Sequence, residues 1–215
     1  EKTKKICPLL IPSNVDSILA AKVLAALNTN SHELEELGGS GLFLLACTME
    51  HNCSPNCNFT THGDTIWLTA IKSISEGEPL SIDYGNNFYR PALERRKDLE
   101  ETYEFECNCM ACTVLPDLPR AFKCPSPVCL GGRVSPVGLG NDVSKFSCLK
   151  CKQICSENNV EVMLSEEKLL MDHLDVEEGI FIHPTEVEQC LNKFESIHSF
   201  HHAVFWALEG AAQVY

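Results

Sequence analysis

Thirteen cysteines, most of them in short clusters, limit what this chain of 215 residues can fold into. The clusters are Cys107-x-Cys109-x2-Cys112, Cys124-x4-Cys129 and Cys148-x2-Cys151. Sulfurs one or two residues apart share a metal ion more readily than they enter separate disulfides. A secreted disulfide framework is usually shorter and even-numbered. The pattern therefore predicts a reducing compartment and zinc. Cys124, Cys129, Cys148 and Cys151 form two pairs around an 18-residue spacer, the layout of a zinc ribbon. Its job is either structural stapling or partner binding. Cys155 either replaces one of these ligands or is free. Cys7, Cys47, Cys57 and Cys190 read as buried small hydrophobes.

Charge narrows the function. The net charge is −13, with no basic face of the kind that phosphate contacts require, so direct nucleic-acid binding is not expected. An acidic surface suits a cationic partner, such as a lysine-bearing protein. No apolar run reaches the ~18–20 residues that cross a bilayer, and no signal peptide opens the chain. The chain starts Glu1-Lys2-Thr3 and stops at Tyr215 inside a helical pattern, so we read it as a piece of a longer protein.

Periodicity places the elements. Residues 13–27 read as a helix N-capped by Ser13, with Ile18, Val23, Leu24 and Leu27 on one face. A polar loop with Gly38 and Gly39 follows, then an apolar run from Gly41 to Cys47, a buried strand or helical turn. Residues 57–61 and 65–70 alternate around His62-Gly63-Asp64 and predict a hairpin. Residues 79–84 predict another strand, and 91–104 a charged helix with Pro91 in its first turn. Helical patterns cover 157–174, 184–198 and 200–214, and the last two suit a helix pair. His198, His201 and His202 have a spacing that could hold a metal, but a partly exposed helix face is the preferred reading.

Three ordered motifs carry a family resemblance. Glu50-His51-Asn52-Cys53-Ser54-Pro55-Asn56 resembles the Asn-His-Ser-Cys-x-Pro-Asn signature of SET domains. Gly77-Glu78-Pro79-Leu80-Ser81-Ile82-Asp83-Tyr84 resembles the strand that ends in that family's catalytic tyrosine. Glu94-Arg95-Arg96-Lys97, then Phe105-Glu106-Cys107-x-Cys109-x2-Cys112, is similar to the post-SET cysteine motif of the SET-and-MYND subfamily of protein-lysine methyltransferases.

The resemblance implies an α+β fold. It comprises a SET β core with a knot-like crossing, a zinc-stapled post-SET and ribbon region, and a helical, tetratricopeptide-like tail. The implied segments are 1–104 (C-terminal part of the SET domain), 105–115 (post-SET zinc motif), 116–156 (zinc ribbon) and 157–215 (helical tail). It implies transfer of methyl from S-adenosylmethionine to a protein lysine, with Tyr84 catalytic and Asn30, Glu50, His51 and Phe105 at the cofactor. It implies two structural zinc ions, the first held by Cys53, Cys107, Cys109 and Cys112. The implied setting is nucleus or cytoplasm, with further protein partners on the tail. Glu50 stands where the family usually has Asn, and Asn52 where it has Ser. The family's N-terminal cofactor loop and MYND finger have no counterpart here, so the segment holds part of a cofactor site. The alternative function is an inactive SET scaffold that captures proteins in transcriptional regulation.

Overall fold

A computed structural model describes residues 16–85, 89–114, 116–137, 145–174 and 183–214. Ser13 and Cys7 lie outside these, as does the side chain of Cys190. Contacts divide the chain into two compact units, Glu1–Tyr84 and Gly85–Tyr215.

The first unit opens with helix α1 (Ser17–Asn30). Its N-cap is Asp16, not Ser13: the carboxylate accepts the Ile18 N–H at 2.7 Å and the Leu19 N–H at 3.1 Å. Ala20, Leu24 and Leu27 turn inward, while Ile18 and Val23 are exposed, which corrects the expected face. The predicted polar loop is instead a hairpin, β1 (Ser31–Leu34) with β2 (Gly39–Leu42), turned by Gly38 at φ 61°. The apolar run after it makes a 3-10 turn at Ala46–Thr48 rather than continuing as a strand. Strand β3 (Glu50–His51) follows.

The predicted hairpin forms as β4 (Cys57–His62) and β5 (Thr65–Ala70), with Gly63 at φ 58° in the turn. Of the 79–84 segment only β6 (Ser81–Ile82) pairs. It runs parallel to β3, with Glu50 opposite Ser81 and His51 opposite Ile82. Parallel strands require a long crossover, and this one contains the whole β4–β5 hairpin. Met49, Cys57 and Ile82 form the local core, with Phe59, Ile74 and Tyr84 packed against it.

The second unit begins with α2 (Ala92–Tyr103) and a short helix α3 (Met110–Thr113). Asp117 accepts the Ala92 N–H at 3.1 Å, so a remote carboxylate caps α2. Strands β7 (Phe122–Lys123), β8 (Arg133–Val137) and β9 (Lys145–Cys148) form an antiparallel sheet in that order. Helices α4 (Glu157–Leu174), α5 (Pro184–Lys193) and α6 (His202–Val214) follow, and α6 packs on both α4 and α5.

Sheet and helices share one core, in which Phe122, Val134 and Phe146 meet Met163, Leu170 and Val204. The expected helix 184–198 stops at Lys193, because the next residues turn back and bridge β7, Phe122 against Ile197. Lys123 N–H donates to Ser196 O at 2.7 Å, and His198 N–H to Ala121 O at 3.1 Å. That turn also overrides the expected exposed histidine face. His201 and His202 are buried, and only His202 lies within a helix.

Candidate active site and metal centres

In the first unit the two sequence motifs meet through Asn56. Its Nδ2 donates to Glu78 Oε1 at 3.0 Å and to Pro79 O at 2.9 Å. Its Oδ1 accepts from the Ser81 N–H at 2.8 Å and from Ser81 Oγ at 3.2 Å. Every hydrogen-bonding position of a buried amide is thereby used to hold β6 in place. Glu78 is fixed in turn by the Ser75 N–H at 3.0 Å. That N–H and the Asn56 amide hold the Glu78 carboxyl below its usual value. The sequence reading gave Asn56 and Glu78 no role, although each stands in a motif it singled out.

Tyr84 follows β6 and lies beside His51, ring centroids 5.3 Å apart and edge-on. Its backbone N–H donates to His51 Nδ1 at 3.1 Å, and its hydroxyl donates to Met49 O at 2.5 Å. The His51 side chain is 2% exposed, with Asp83 Oδ1 3.8 Å from Nδ1. Since Nδ1 accepts, the neutral ring carries its proton on Nε2, which lies 3.2 Å from Cys53 Sγ. His51 therefore couples the Tyr84 backbone to the Cys53 sulfur.

Glu50 holds its place by backbone pairing, its N–H on Leu80 O at 3.2 Å, and its side chain is exposed. Asn30 ends α1, and its amide donates to Ala26 O at 2.9 Å within its own helix.

In the second unit the sulfurs of Cys107, Cys109 and Cys112 lie within 4.8 Å of one another. Burial, and then the neighbouring thiols, push Cys107 up to about 11. Arg95 lies behind them, its guanidinium 3.7 Å from Cys112 Sγ and 3.1 Å from Ala111 O. A buried cation beside a sulfur favours the thiolate. Phe105, just before the triplet, is half-buried, with its ring 6.4 Å from that of Tyr103.

The ribbon cysteines converge as the spacing predicted: Cys124, Cys129, Cys148 and Cys151 lie within 4.8 Å of one another. Two of the sulfur pairs are 3.8 Å (Cys124–Cys151) and 3.7 Å (Cys129–Cys148) apart. Tetrahedral Zn–S bonds of ~2.3 Å place sulfurs about 3.8 Å apart, so the donor set fits zinc. A disulfide needs ~2.05 Å and is excluded.

Burial and the surrounding thiols push Cys129 up to about 12. Burial would also raise Cys148, but N–H groups of Cys151 and Lys150 outweigh it and bring that thiol down to about 7. Gly132 is a further determinant that spacing did not reveal. A Cβ there would stand 2.4 Å from Cys129 Sγ and 2.9 Å from Cys148 Sγ. Cys155 packs beside the cluster, and burial pushes its thiol up to about 11.

Glu167, His201 and His202 form a third group. Arg120 holds both Glu167 oxygens, Nε at 2.8 Å and Nη2 at 2.5 Å, and His201 Nε2 lies 3.0 Å from Oε1. The guanidinium already occupies the place of a cation, so this is a buried polar network.

The SET domain family matches residues 15–85. Over 80 residues the chain is 38% identical to mouse (Mus musculus) histone-lysine N-methyltransferase SMYD3, covering 37% of this chain and 18% of that protein. It is 30% identical over 116 residues to chicken (Gallus gallus) protein-lysine N-trimethyltransferase SMYD5, covering 52% and 27%. A longer match, 27% identical over 177 residues, reaches Arabidopsis thaliana histone-lysine N-methyltransferase ASHR1, covering 76% and 35%. The chain thus spans between about a fifth and a third of the length of these relatives.

Proposed function

From the premise that this chain belongs to the SET-and-MYND group of protein-lysine methyltransferases, we propose that it takes part in methyl transfer from S-adenosylmethionine to a protein lysine. The observation that carries the reading is the junction of Tyr84, His51 and Met49 where the two motifs meet.

Bound S-adenosylmethionine would supply an electrophilic methyl on a sulfonium, so that a neutral lysine amine is converted to a methylammonium and the sulfonium to a neutral thioether. The reaction needs a neutral lysine, and at pH 7 deprotonation costs roughly 4–5 kcal/mol in water. Because the Tyr84 proton is committed to the Met49 carbonyl, the phenol oxygen meets the reacting centre as an acceptor. It can accept from the lysine N–H and orient the nitrogen lone pair along the line of attack. The Tyr84 backbone is fixed by His51. Asn30, Glu50, His51 and Phe105 are the cofactor positions in this reading. A carboxylate at Glu50 leaves its backbone groups as the means of contact there.

Zinc is the metal in this reading, with Cys53 as fourth ligand to Cys107, Cys109 and Cys112. A second ion is held by Cys124, Cys129, Cys148 and Cys151. The His51 contact to Cys53 would then link the metal to the Tyr84 loop. The reading retains a knot-like crossing for the motif region and segments 105–115, 116–156 and 157–215, the last tetratricopeptide-like. The substrate is a lysine-bearing protein, histone or otherwise, in nucleus or cytoplasm, with further protein partners on the tail.

The exposed carboxylate of Glu50 at the family's Asn position favours a second reading, an inactive scaffold that captures proteins. Calorimetric titration of the full-length protein with S-adenosylmethionine separates the two. Binding at sub-millimolar cofactor supports the enzyme. No binding at millimolar cofactor removes it and leaves the scaffold.

A further inference from the structure

We infer that the cleft between the ribbon's first cysteine loop and the Ile197–Ser199 turn is a docking site for an acidic peptide segment of a partner protein. This goes beyond methyl transfer and does not depend on it.

The cleft has a volume of about 500 Å3, a size that suits a few peptide residues. Its walls are the loop from Cys124 to Gly132 on one side and Leu191, Ile197 and His198 on the other. Both walls belong to the second unit and share its core, so the cleft is preformed.

Charge selects the ligand. The chain carries −13, yet residues 116–155 hold six Lys and Arg against two Asp and no Glu. Four thiolates would cancel this excess, and the zinc dication they hold would restore a net charge of about +2. Arg120 is committed to Glu167, and Lys150 Nζ to Leu130 O at 2.7 Å. Lys123 lines the cleft and makes no side-chain hydrogen bond or ion pair among the described residues. Arg133 lies 5.8 Å above the Phe200 ring and likewise has no carboxylate partner among them.

His198 shares the cleft wall with Lys123 and is locked. Its Nδ1 accepts the Phe200 N–H at 3.1 Å, and its ring stacks on Phe200 at 5.2 Å. The neutral imidazole therefore carries its proton on Nε2, a donor on the cleft wall. Burial first, and then Arg133 and Lys123, hold its pKa below the usual value. Lys123 and Arg133 stand opposite each other in the β7–β8 pair, and His198 adds an N–H on the cleft wall, a set of donors that suits a carboxylate.

An apolar contact adds to the charge. Val128 and Leu130 crown the loop at 89% and 81% exposed. Large side chains held this far out on a stapled loop suit an interface. Walls of mixed polarity and a short pair of cations favour a peptide over nucleic acid, which needs an extended track of phosphate contacts.

The test is fluorescence anisotropy with the zinc-loaded full chain and three labelled probes: a decapeptide alternating Glu with Leu and Phe, its Gln counterpart, and a 20-nucleotide single-stranded DNA. The acidic peptide is expected to bind at least tenfold tighter than the other two. Lys123→Glu with Arg133→Glu should weaken it at least tenfold, with zinc content and melting temperature unchanged. Val128→Asp, at an 89% exposed site that tolerates a polar side chain, should weaken it at least threefold. Equal binding of the Gln peptide, tighter binding of DNA, no binding at all, or indifference to both variants overturns the proposal.

Discussion

Replacing Gly132 by alanine puts a methyl group into the ribbon's sulfur cluster. The new carbon would lie 2.4 Å from Cys129 Sγ, 2.9 Å from Cys148 Sγ and 3.0 Å from Cys124 Cβ. Non-bonded heavy atoms rest at roughly 3.5–4.0 Å, so Cys129 must retreat by more than about 1 Å. Metal–ligand distances tolerate about 0.2 Å. The sulfur belongs to a backbone-held loop, not to the far end of a flexible side chain, so the strain falls on the metal geometry. Overpacking of this kind costs roughly 1–3 kcal/mol, which corresponds to zinc binding about 5- to 150-fold weaker.

Gly131 is the control. It sits at φ 66°, and a Cβ there meets nothing within 4 Å. Its alanine variant bears only left-handed backbone strain of about 1–2 kcal/mol. The assay is chelator competition for zinc, together with the visible spectrum of the cobalt form, in a Cys107→Ser background so that only the ribbon reports. Gly131→Ala should keep the tetrahedral thiolate spectrum, and Gly132→Ala should lose or distort it. A Gly132→Ala ribbon with unaltered spectrum and affinity would refute the assignment of the four sulfurs to one ion.

Other consequences can be measured directly. Asn56→Ala strands the buried Ser81 N–H and frees β6, so the first unit should lose about 2–4 kcal/mol in urea unfolding, with Asn56→Asp no better. Glu167→Leu leaves the Arg120 guanidinium buried without its carboxylate and should destabilise the second unit by about 3–5 kcal/mol, whereas an exposed surface pair would cost under 1.

Burial, and then His201, hold His202 down at about 3. The unfolded chain takes up this proton below ~6.5 and the folded chain does not, so stability falls as pH drops from there towards 3. The slope is at most about 1.4 kcal/mol per pH unit, roughly 2 kcal/mol between pH 6.5 and 5. At saturating zinc, His202→Gln should flatten that slope, and an unchanged slope would contradict the assignment.

Local pattern and tertiary context divide what was legible. The hairpin at 57–70 and the helix at 157–174 appear where alternation and 3.6-residue periodicity put them. Each is specified by its own residues. The ribbon quartet was legible for a similar reason, since ligand spacing is itself local. The end of α5 was not: pattern alone runs on to 198, but Phe122 and Lys123 recruit residues 196–198 from far along the chain. The Arg120–Glu167–His201 network joins residues 34 to 47 positions apart, and nothing in their neighbourhoods announces it. The motif singles out Tyr84 as a candidate, whereas its contacts to Met49 and His51 needed the fold. Gly132 falls between these cases. It follows Cys129-Leu-Gly, where a glycine beside a ligand hints at a tight loop, but only the Cβ distance gives the reason.

Methyl transfer through the Tyr84 hydroxyl is tested most directly by the rate at which the full-length protein moves radiolabelled methyl from S-adenosylmethionine to lysine in histones and peptides, compared between the native protein and Tyr84→Phe. Loss of the hydroxyl with the His51 contact intact should lower the turnover number about 100-fold or more while cofactor affinity changes less than threefold. Equal turnover in the two proteins would contradict the catalytic role of Tyr84.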